Sequence, residues 1–257
     1  MSRIVLVTGA TSGIGKATAS LFARNGCDLI ITGRRKQKLE ALSERLKKKY
    51  AVKVQVLCFD VRNYNEVKKS VQSIKGNWKK IDILINNAGL AKGFHEIHKG
   101  KREDWDTMID TNIKGLLYMT RLIAPSMVKS KSGHIINVAS TAGKEVYPKG
   151  NVYCATKFAV DALTKSSRLD LHKYGLRVSQ VSPGHVESTE FALTRFDGNE
   201  EKSKIYEDFT PLNAKDVARI IFFIASQPKH VNIQDVLVMG TQQAGNNHID
   251  RSGRIDR

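Results

Sequence analysis

The 257-residue chain has few cysteines and no long apolar run, and each shortage excludes a class of protein. Its three cysteines, Cys27, Cys58 and Cys154, are far apart and lack the spacing of metal ligands, so we expect neither a disulfide scaffold nor a metal site. No apolar stretch approaches the roughly 20 residues that span a bilayer. Strand-like sequence begins at Ile4 and leaves no room for a signal peptide, so we expect a cytoplasmic protein with no membrane partner.

Acidic residues are also scarce, because 25 Asp and Glu face 42 Lys and Arg and the net charge is +17. Most of that excess lies in residues 1–128, where lysine-rich pieces fall on helix-like or loop stretches that are typical of solvated surface. The sequence shows no RNA-recognition motif and no aromatic cluster. We therefore interpret the charge as attraction for anionic small molecules, and we predict no nucleic-acid partner.

Short apolar runs alternate with longer amphipathic stretches almost to the end of the chain. The predicted strands are 4–8, 28–32, 53–60, 81–86, 134–139, 176–182 and 235–239, and the predicted helices are 13–25, 36–50, 65–78, 102–129, 152–174 and 214–226. Most of these strands lack alternation, as expected where helices cover both faces of a sheet. The repetition predicts one doubly wound α/β domain over residues 1–257, with a parallel sheet of about seven strands. Residues 187–211 form a less regular excursion, and residues 243–257 form a polar tail.

A glycine-rich turn connects the first predicted strand to the first predicted helix. Its candidate cofactor-binding residues are Gly9, Thr11, Ser12, Gly13, Ile14 and Gly15. Glycine permits a tight turn and lets the backbone approach a pyrophosphate, whose charge the helix N-terminus stabilises. Because the turn stands between a strand and a helix of an alternating α/β chain, it predicts dinucleotide binding.

The end of the second predicted strand indicates which dinucleotide binds. A carboxylate at this point would bind the ribose 2′-OH of NAD and repel a 2′-phosphate. The sequence instead has Arg34 and Arg35, whose guanidinium groups can bind a 2′-phosphate through paired hydrogen bonds, and we predict NADP. Residues expected beside the adenine and the ribose follow strands three and four: Asp60, Val61, Asn87, Ala88 and Gly89.

Tyr153 and Lys157 are four residues apart, so a helix places them on one face. Tyr64 and Lys68 share this spacing, but no comparable candidate residue accompanies them. Tyr153 follows Ser140 by 13 residues, and Ser140 comes directly after the fifth predicted strand, at the sheet edge where open α/β folds bind ligands. An ammonium about 6 Å from a phenol would favour the phenolate by roughly 3 kcal/mol at an effective dielectric of ~20, which is about two pKa units. We therefore predict that Lys157 lowers the pKa of Tyr153.

These residues predict a centre for hydride transfer between an alcohol and a nicotinamide, because that reaction needs a base for the hydroxyl proton. Tyr153 is the expected acid–base, and Ser140 could hydrogen-bond the substrate oxygen and stabilise the developing alkoxide. Both residues would then bind the substrate. Asn112, in the predicted helix 102–129, could hold a water that joins Lys157 to bulk solvent.

Together the motifs resemble those of the short-chain dehydrogenase/reductase family. The matching pieces are Thr8-Gly-x-x-x-Gly-x-Gly15, Asn86-Asn-Ala-Gly89, Asn112, Ser140, Tyr153-x-x-x-Lys157 and Pro183-Gly184. The resemblance implies a Rossmann-type NAD(P)(H)-dependent oxidoreductase in which Tyr153 is the acid–base and Lys157 is its activator and a ribose ligand. It adds four expected cofactor-binding residues: Pro183, Gly184, Val186 and Thr189. It also implies a homotetramer, formed through helices 102–129 and 152–174.

Finer stretches are similar to the NADP-dependent 3-hydroxy acid (serine / L-allo-threonine) dehydrogenase branch of that family. They lie at 104–112, 133–137, 150–153, 189–191 and 228–233. The implied reaction oxidises the β-hydroxyl of a small 3-hydroxy acid, of the serine, allo-threonine or 3-hydroxypropionate type, to the 3-oxo acid. Candidate ligands for the substrate carboxylate are Arg195, Arg251, Arg254 and Arg257, and His185 is a candidate for the pocket wall.

Two alternatives stay open at this point. A 3-oxoacyl-carrier-protein reductase, or another short-chain carbonyl reductase, would share the catalytic residues, and an acidic partner would suit the basic surface. Residues 238–242 and the tail 246–257 depart from the pattern of such reductases. A non-catalytic NADP(H)- or RNA-binding protein is the alternative of another class, but it would not need every catalytic position to be filled.

Overall fold

The computed structural model, which describes residues 2–256, arranges seven strands in one parallel sheet with the order β3-β2-β1-β4-β5-β6-β9. In chain order the strands are β1 (Ile4–Val7), β2 (Asp28–Gly33), β3 (Val54–Cys58), β4 (Ile83–Asn86), β5 (Gly133–Val138), β6 (Leu176–Pro183), β7 (Val186–Glu187), β8 (Leu212–Asn213) and β9 (Asp235–Val238). The short strands β7 and β8 form a separate parallel pair. The predicted doubly wound α/β fold is confirmed.

Helices cover both faces of the sheet. They are α1 (Gly13–Arg24), α2 (Lys36–Tyr50), α3 (Tyr64–Gln72), α4 (Arg102–Ile109), α5 (Gly115–Ser130), α6 (Asn151–Leu171), α7 (Phe191–Arg195), α8 (Glu200–Ser203) and α9 (Ala214–Ser226). Side chains of α1, α2 and α9 pack on one face, and side chains of α3 and α5 pack on the other. This layering is what right-handed crossovers between parallel strands produce.

The core explains why the strand sequences do not alternate. Val5 and Val7 of β1 belong to the same buried cluster as Phe22 of α1. Leu6, which points to the opposite face, belongs to the cluster that contains Met119 of α5. Because each face of the strand meets a helix layer, every residue of β1 is buried and apolar.

Two predicted helices, 65–78 and 152–174, are too long. The chain leaves the α-helical conformation after α3 and α6 and turns at Gly76 and Gly175, whose φ angles are +57° and +75°. Glycine adopts this left-handed conformation without the clash that a Cβ would cause. Apart from the predicted helix 102–129, the other predicted elements agree with the structure to within two residues.

The predicted helix 102–129 is interrupted. A π-helical turn over Asp110–Lys114 separates α4 from α5, and Asn112 lies inside it. A π-turn accommodates one extra residue in the helical repeat, and such turns occur frequently at functional sites. The sequence pattern 102–129 predicts one continuous helix and does not reveal this interruption.

The excursion and the tail both fold against the carboxyl edge of the sheet. The excursion 187–211 contains α7 and α8 and is bracketed by the β7–β8 pair. In the tail, Gln243 and Ile249 form an antiparallel bridge. The amide nitrogen of Gln242 donates to the carbonyl of Gly253 at 2.7 Å, which ties the end of the chain to the domain.

No helix within residues 2–256 combines the length and the apolar character that crossing a bilayer requires. The His, Cys, Asp and Glu side chains of this range nowhere gather three together in an arrangement that could hold a metal ion. Cys27, Cys58 and Cys154 carry free thiols, and Cys58 is exposed.

His134 is a buried histidine within the sheet. Its Nε2 lies 2.8 Å from the hydroxyl of Ser179 on β6. Burial lowers its pKa from 6.5 to about 3, and the positive charges of Arg177 and Arg3 act in the same direction. The unfolded chain therefore binds a proton that the folded chain does not, and the folded state loses stability as the pH falls from 6.5 towards 3.

We expect His134 to account for about 2 kcal/mol of the stability that is lost between pH 7 and pH 5. His134→Gln keeps a hydrogen-bonding side chain without a titrating group, so this variant should lose about that much less over the same interval. Urea unfolding at the two pH values, followed by circular dichroism, measures the difference. Equal losses in the two proteins would show that the imidazole is not the group that titrates.

Candidate active site

A cavity of about 630 Å³ opens at the carboxyl edge of the sheet, where the strand order reverses between β1 and β4. Such a crevice is where open α/β sheets bind ligands. Most of the predicted site residues line it: Gly9, Thr11, Ser12, Gly13, Ile14, Arg34, Arg35, Asp60, Val61, Asn87, Ala88, Gly89, Ser140, Tyr153, Lys157, Pro183, Gly184, Val186 and Thr189. Gly15 and Asn112 are not part of its lining.

The glycine turn is held in place by the residues that follow β4. The amide nitrogen of Asn87 donates to the carbonyls of Thr8, at 2.9 Å, and Gly9, at 3.3 Å. In return, the hydroxyl of Thr8 accepts hydrogen bonds from the backbone N–H groups of Asn87 and Ala88. A Cβ at Gly15 would lie only 2.4 Å from the carbonyl oxygen of Gly9. Gly15 therefore contributes close packing of the helix on the turn, not a cavity surface.

The cavity wall at this turn fits a pyrophosphate. Ser12 precedes α1, and its side chain caps none of the N–H groups of the first helical turn. These N–H groups therefore remain available to an anion. Gly13 has a φ of +50°, and a Cβ there would lie 3.1 Å from Cγ2 of Thr189. A side chain at this position would therefore have to displace Thr189, and the positive φ also favours glycine.

Arg35 lies against the glycine turn, and both of its terminal nitrogens make polar contacts. Nη2 donates to the hydroxyls of Thr11, at 2.6 Å, and Ser12, at 3.1 Å. Nη1 pairs with one carboxylate oxygen of Glu190 at 2.6 Å, and Nζ of Lys38 contacts the other at 2.9 Å. Burial alone would raise the pKa of Glu190, but these two cations outweigh burial and hold that pKa low. The sequence did not predict a carboxylate at this position.

The negative charge of Asp60 is compensated by a neighbouring arginine, Arg62. The guanidinium of Arg62 donates to both carboxylate oxygens, the shortest contact being 2.7 Å, whereas Arg34 is 3.8 Å away. Burial would raise the pKa of Asp60, but the hydrogen bonds from Arg62 outweigh it and the pKa is lowered. The more exposed Arg34 makes only a long contact with this carboxylate, so its guanidinium remains accessible to an anion.

Tyr153 and Lys157 share one face of α6, as their spacing predicts. Nζ of Lys157 lies 5.9 Å from the centroid of the Tyr153 ring, and both side chains are buried. The same Nζ donates to the carbonyl of Val138, at the end of β5, at 3.0 Å. Ser140 lies just beyond, and its Oγ accepts the N–H of Ala142 at 3.1 Å. Its hydroxyl also hydrogen-bonds Tyr153 in a way that favours the phenolate.

Burial dominates the protonation of this pair. It lowers the pKa of Lys157 from 10.5 to about 8. It also raises the pKa of Tyr153, and Tyr147 adds to the rise while Ser140 and Arg195 oppose it. The expected fall in the pKa of Tyr153 is therefore not seen for the side chains alone, because burial outweighs the groups that oppose it. That Lys157 favours the phenolate when the cofactor is bound stays a prediction.

Asn112 positions the segment after β4. Its Oδ1 accepts the backbone N–H of Leu90 at 2.9 Å, and its Nδ2 donates to the carbonyl of Leu90 and to the hydroxyl of Thr156. A Cβ at Gly89 would lie 3.3 Å from this Oδ1 and 3.5 Å from Nζ of Lys157. Asn112 thus stands close to Lys157 without a direct hydrogen bond to it, and the predicted water bridge between them stays a prediction.

The wall beyond Ser140 is aromatic, and sequence reasoning missed most of it. Its aromatic residues come from the loops after β4 and β5 and from the excursion: Phe94, Tyr147, Phe191 and Tyr206. Asn246 of the tail adds a polar side chain to the lining. The only sequence signal for them is their place in loops at the carboxyl edge of the sheet. His185, a predicted wall residue, also lines the cavity, and burial lowers its pKa, so it stays neutral.

The four arginines considered for a substrate carboxylate have different surroundings. Arg195 is buried in the aromatic wall. Arg251 and Arg254 form ion pairs with carboxylates of the excursion, at 2.6 Å and 2.8 Å, so their charges are already compensated. Arg257 lies outside the described residues.

Comparison with known proteins agrees with this arrangement. The family model described as short chain dehydrogenase matches residues 3–200. The chain belongs to the short-chain dehydrogenase/reductase family. NADP-dependent 3-hydroxy acid dehydrogenase YdfG of Salmonella typhi is 46% identical over 242 residues, which cover 94% of this chain and 96% of the relative.

Two further proteins extend the likeness. Sulfoacetaldehyde reductase 2 of Chromohalobacter salexigens is 44% identical to this short-chain dehydrogenase/reductase over 246 residues, which are 95% of this chain and 96% of the relative. The solved closed form of a serine dehydrogenase complexed with NADP+ has a TM-score of 0.89 at 42% identity and covers 94% of this chain and 96% of its own. The predicted family is thereby confirmed.

Proposed function

We propose that the protein is an NADP-dependent oxidoreductase that transfers hydride reversibly between the β-carbon of a small 3-hydroxy acid and the cofactor. One observation carries the proposal: a single cavity is lined both by Tyr153, Lys157 and Ser140 and by the glycine turn with Arg35. The named functions of the relatives, 3-hydroxy acid and serine dehydrogenases, support the same reaction. Substrates of the serine, allo-threonine and 3-hydroxypropionate type would yield the 3-oxo acid.

The residues present fit NADP. The turn at 8–15 offers helix N–H groups for a pyrophosphate, and Arg34 and Arg35 offer charged donors for a 2′-phosphate. Lys157 would bind the nicotinamide ribose. The nicotinamide end would meet Pro183, Gly184, Val186 and Thr189. When bound, NADP supplies a hydride acceptor at C4 of its nicotinamide ring.

Proton transfer falls to this chain's own residues. In the oxidation direction, Tyr153 takes the proton of the substrate hydroxyl on its phenolic oxygen, and in reduction it returns that proton. Ser140 donates its hydroxyl proton to the substrate oxygen and stabilises negative charge there. Lys157, with a pKa of about 8, is charged at neutral pH and favours the phenolate.

Initial rates with a panel of substrates test the function. The panel contains L-serine, L-allo-threonine, 3-hydroxypropionate and, in the reverse direction, an acetoacetyl thioester, each with both cofactors. We expect kcat/KM to be highest for a hydroxy acid with NADP, and at least about tenfold higher than with NAD, because two arginines replace the carboxylate that would bind NAD. Preference for the thioester would favour the carrier-protein reductase, and NADP binding without any turnover would favour a non-catalytic protein.

We also propose that the protein is a homotetramer that works in the cytoplasm. The helices α5 and α6 carry exposed apolar side chains, Leu117, Phe158 and Leu169, and the last of these is 72% exposed in a single subunit. Apolar residues on neighbouring helices favour burial against symmetry-related copies. The three free thiols fit a reducing compartment.

A further inference from the structure

Arg195, the last residue of α7, is a buried cation that lacks a carboxylate partner. It is only 8% exposed, and none of the ion pairs formed within residues 2–256 includes it. Its Nη1 donates to the hydroxyl of Tyr147 at 2.9 Å, and its buried Nε has no hydrogen-bond partner among these residues. The guanidinium is therefore held in place with donors unused.

Three aromatic rings fix the guanidinium. Its central carbon lies 4.6 Å from the ring centroid of Phe94, 5.3 Å from that of Tyr147 and 5.7 Å from that of Tyr153. Cation–π contacts of this kind only partly offset the cost of taking a charge out of water without a counter-ion. An anion that enters the cavity would supply the missing partner.

We propose that Arg195 binds the acid group of the substrate and thereby selects short anionic alcohols. The inference rests on the proposed function, because it places the acid group next to the ring of the residue that takes the hydroxyl proton. The guanidinium carbon lies 5.7 Å from the centroid of the Tyr153 ring, so an acid group bound to Arg195 stays close to the residue that takes the hydroxyl proton, which suits a short substrate. A guanidinium fork matches carboxylate and sulfonate oxygens alike, so the site takes either acid group.

The test compares acids with a neutral substrate of the same shape. In the full-length protein, Arg195→Met should lower kcat/KM for 3-hydroxypropionate and for 2-hydroxyethanesulfonate at least about 30-fold, mainly through KM, because one partner of a buried charge pair is removed. For 3-hydroxypropionamide, which has no charge, the change should stay within about threefold. A loss on only one of the two acids would show which acid group the site takes.

Arg195→Lys separates recognition from folding. Lysine keeps the positive charge but lacks the forked pair of guanidinium nitrogens. The fall in kcat/KM for the acids should therefore be smaller in Arg195→Lys than in Arg195→Met. NADPH affinity, measured by fluorescence titration, should be unchanged in both variants. The inference is overturned if kcat/KM for the acids is unchanged in Arg195→Met, or if it falls as far in Arg195→Lys as in Arg195→Met. It is also overturned if kcat/KM falls equally for the acids and the amide while NADPH affinity is retained.

A binding measurement keeps this inference separate from the proposed function. Propionate and methanesulfonate lack the hydroxyl and cannot react, so calorimetry of the NADPH complex reports the acid site alone. Binding that disappears in Arg195→Met supports the anion site even if no hydroxy acid is turned over. If the protein turns over hydroxy acids but propionate affinity is the same in Arg195→Met and the wild type, the proposed function stands and the anion site is overturned.

Discussion

Tyr153→Phe should lower kcat about a thousandfold or more, because general acid–base catalysis of this kind contributes 10²–10⁴-fold. The variant loses only the hydroxyl that exchanges a proton with the substrate. Its ring still packs edge-on against Phe191, with centroids 5.5 Å apart, and still fills the same buried space. Cofactor affinity should therefore stay within about twofold of the wild type, since the glycine turn and Arg35 are untouched.

Two measurements check this result. Single-turnover rates report the chemical step, and NADPH fluorescence titration reports cofactor binding. Tyr64→Phe is the matched control, because Tyr64 precedes Lys68 by the same spacing but lies exposed on α3. The control should retain full activity. A Tyr153→Phe enzyme that kept more than about a tenth of its kcat would show that another group moves the proton.

Arg35→Ala should raise the KM for NADP about 30-fold and leave the KM for NAD nearly unchanged, because hydrogen bonds to a charged group contribute about 1.5–3 kcal/mol. Only NADP carries the 2′-phosphate that this guanidinium would bind. Arg34→Ala should have a smaller effect, since its side chain is mostly exposed and lies 3.8 Å from Asp60. Initial rates with both cofactors give the ratio, and equal losses with NADP and NAD would contradict the assignment of Arg35 to the phosphate.

Glu190→Gln tests the same site in the opposite direction. The carboxylate of Glu190 forms ion pairs with Arg35 and Lys38. Because these cations would then be available to a phosphate, removing the negative charge should strengthen NADP binding by roughly three- to tenfold. Glu40→Gln is the control, because Glu40 pairs with Lys36 on the exposed side of α2. Weaker NADP binding in Glu190→Gln would indicate that the ion pair instead closes over the bound cofactor.

The parts of the site that follow from neighbouring residues were predictable. The turn at Gly9 and Gly13 and the pair Tyr153 and Lys157 are short patterns whose geometry depends on local backbone conformation. The strand order then places them at one edge, as parallel sheets require.

Other features depend on tertiary structure. The rise in the pKa of Tyr153 comes from burial by other segments, which spacing along one helix does not report. The contact between Glu190 and Arg35 joins residues that are 155 positions apart. The π-turn around Asn112 lies inside the pattern 102–129, which indicated one continuous helix.

Transfer of deuterium from substrate to cofactor tests the central claim most directly. With 3-hydroxypropionate fully deuterated at C3 and NADP, the wild-type protein should form NADPH that carries one deuterium and an equal amount of 3-oxo acid, both measured by mass spectrometry. Tyr153→Phe should form neither at a comparable rate. NADPH without deuterium, product without NADPH, or transfer to NAD in preference to NADP would contradict the account.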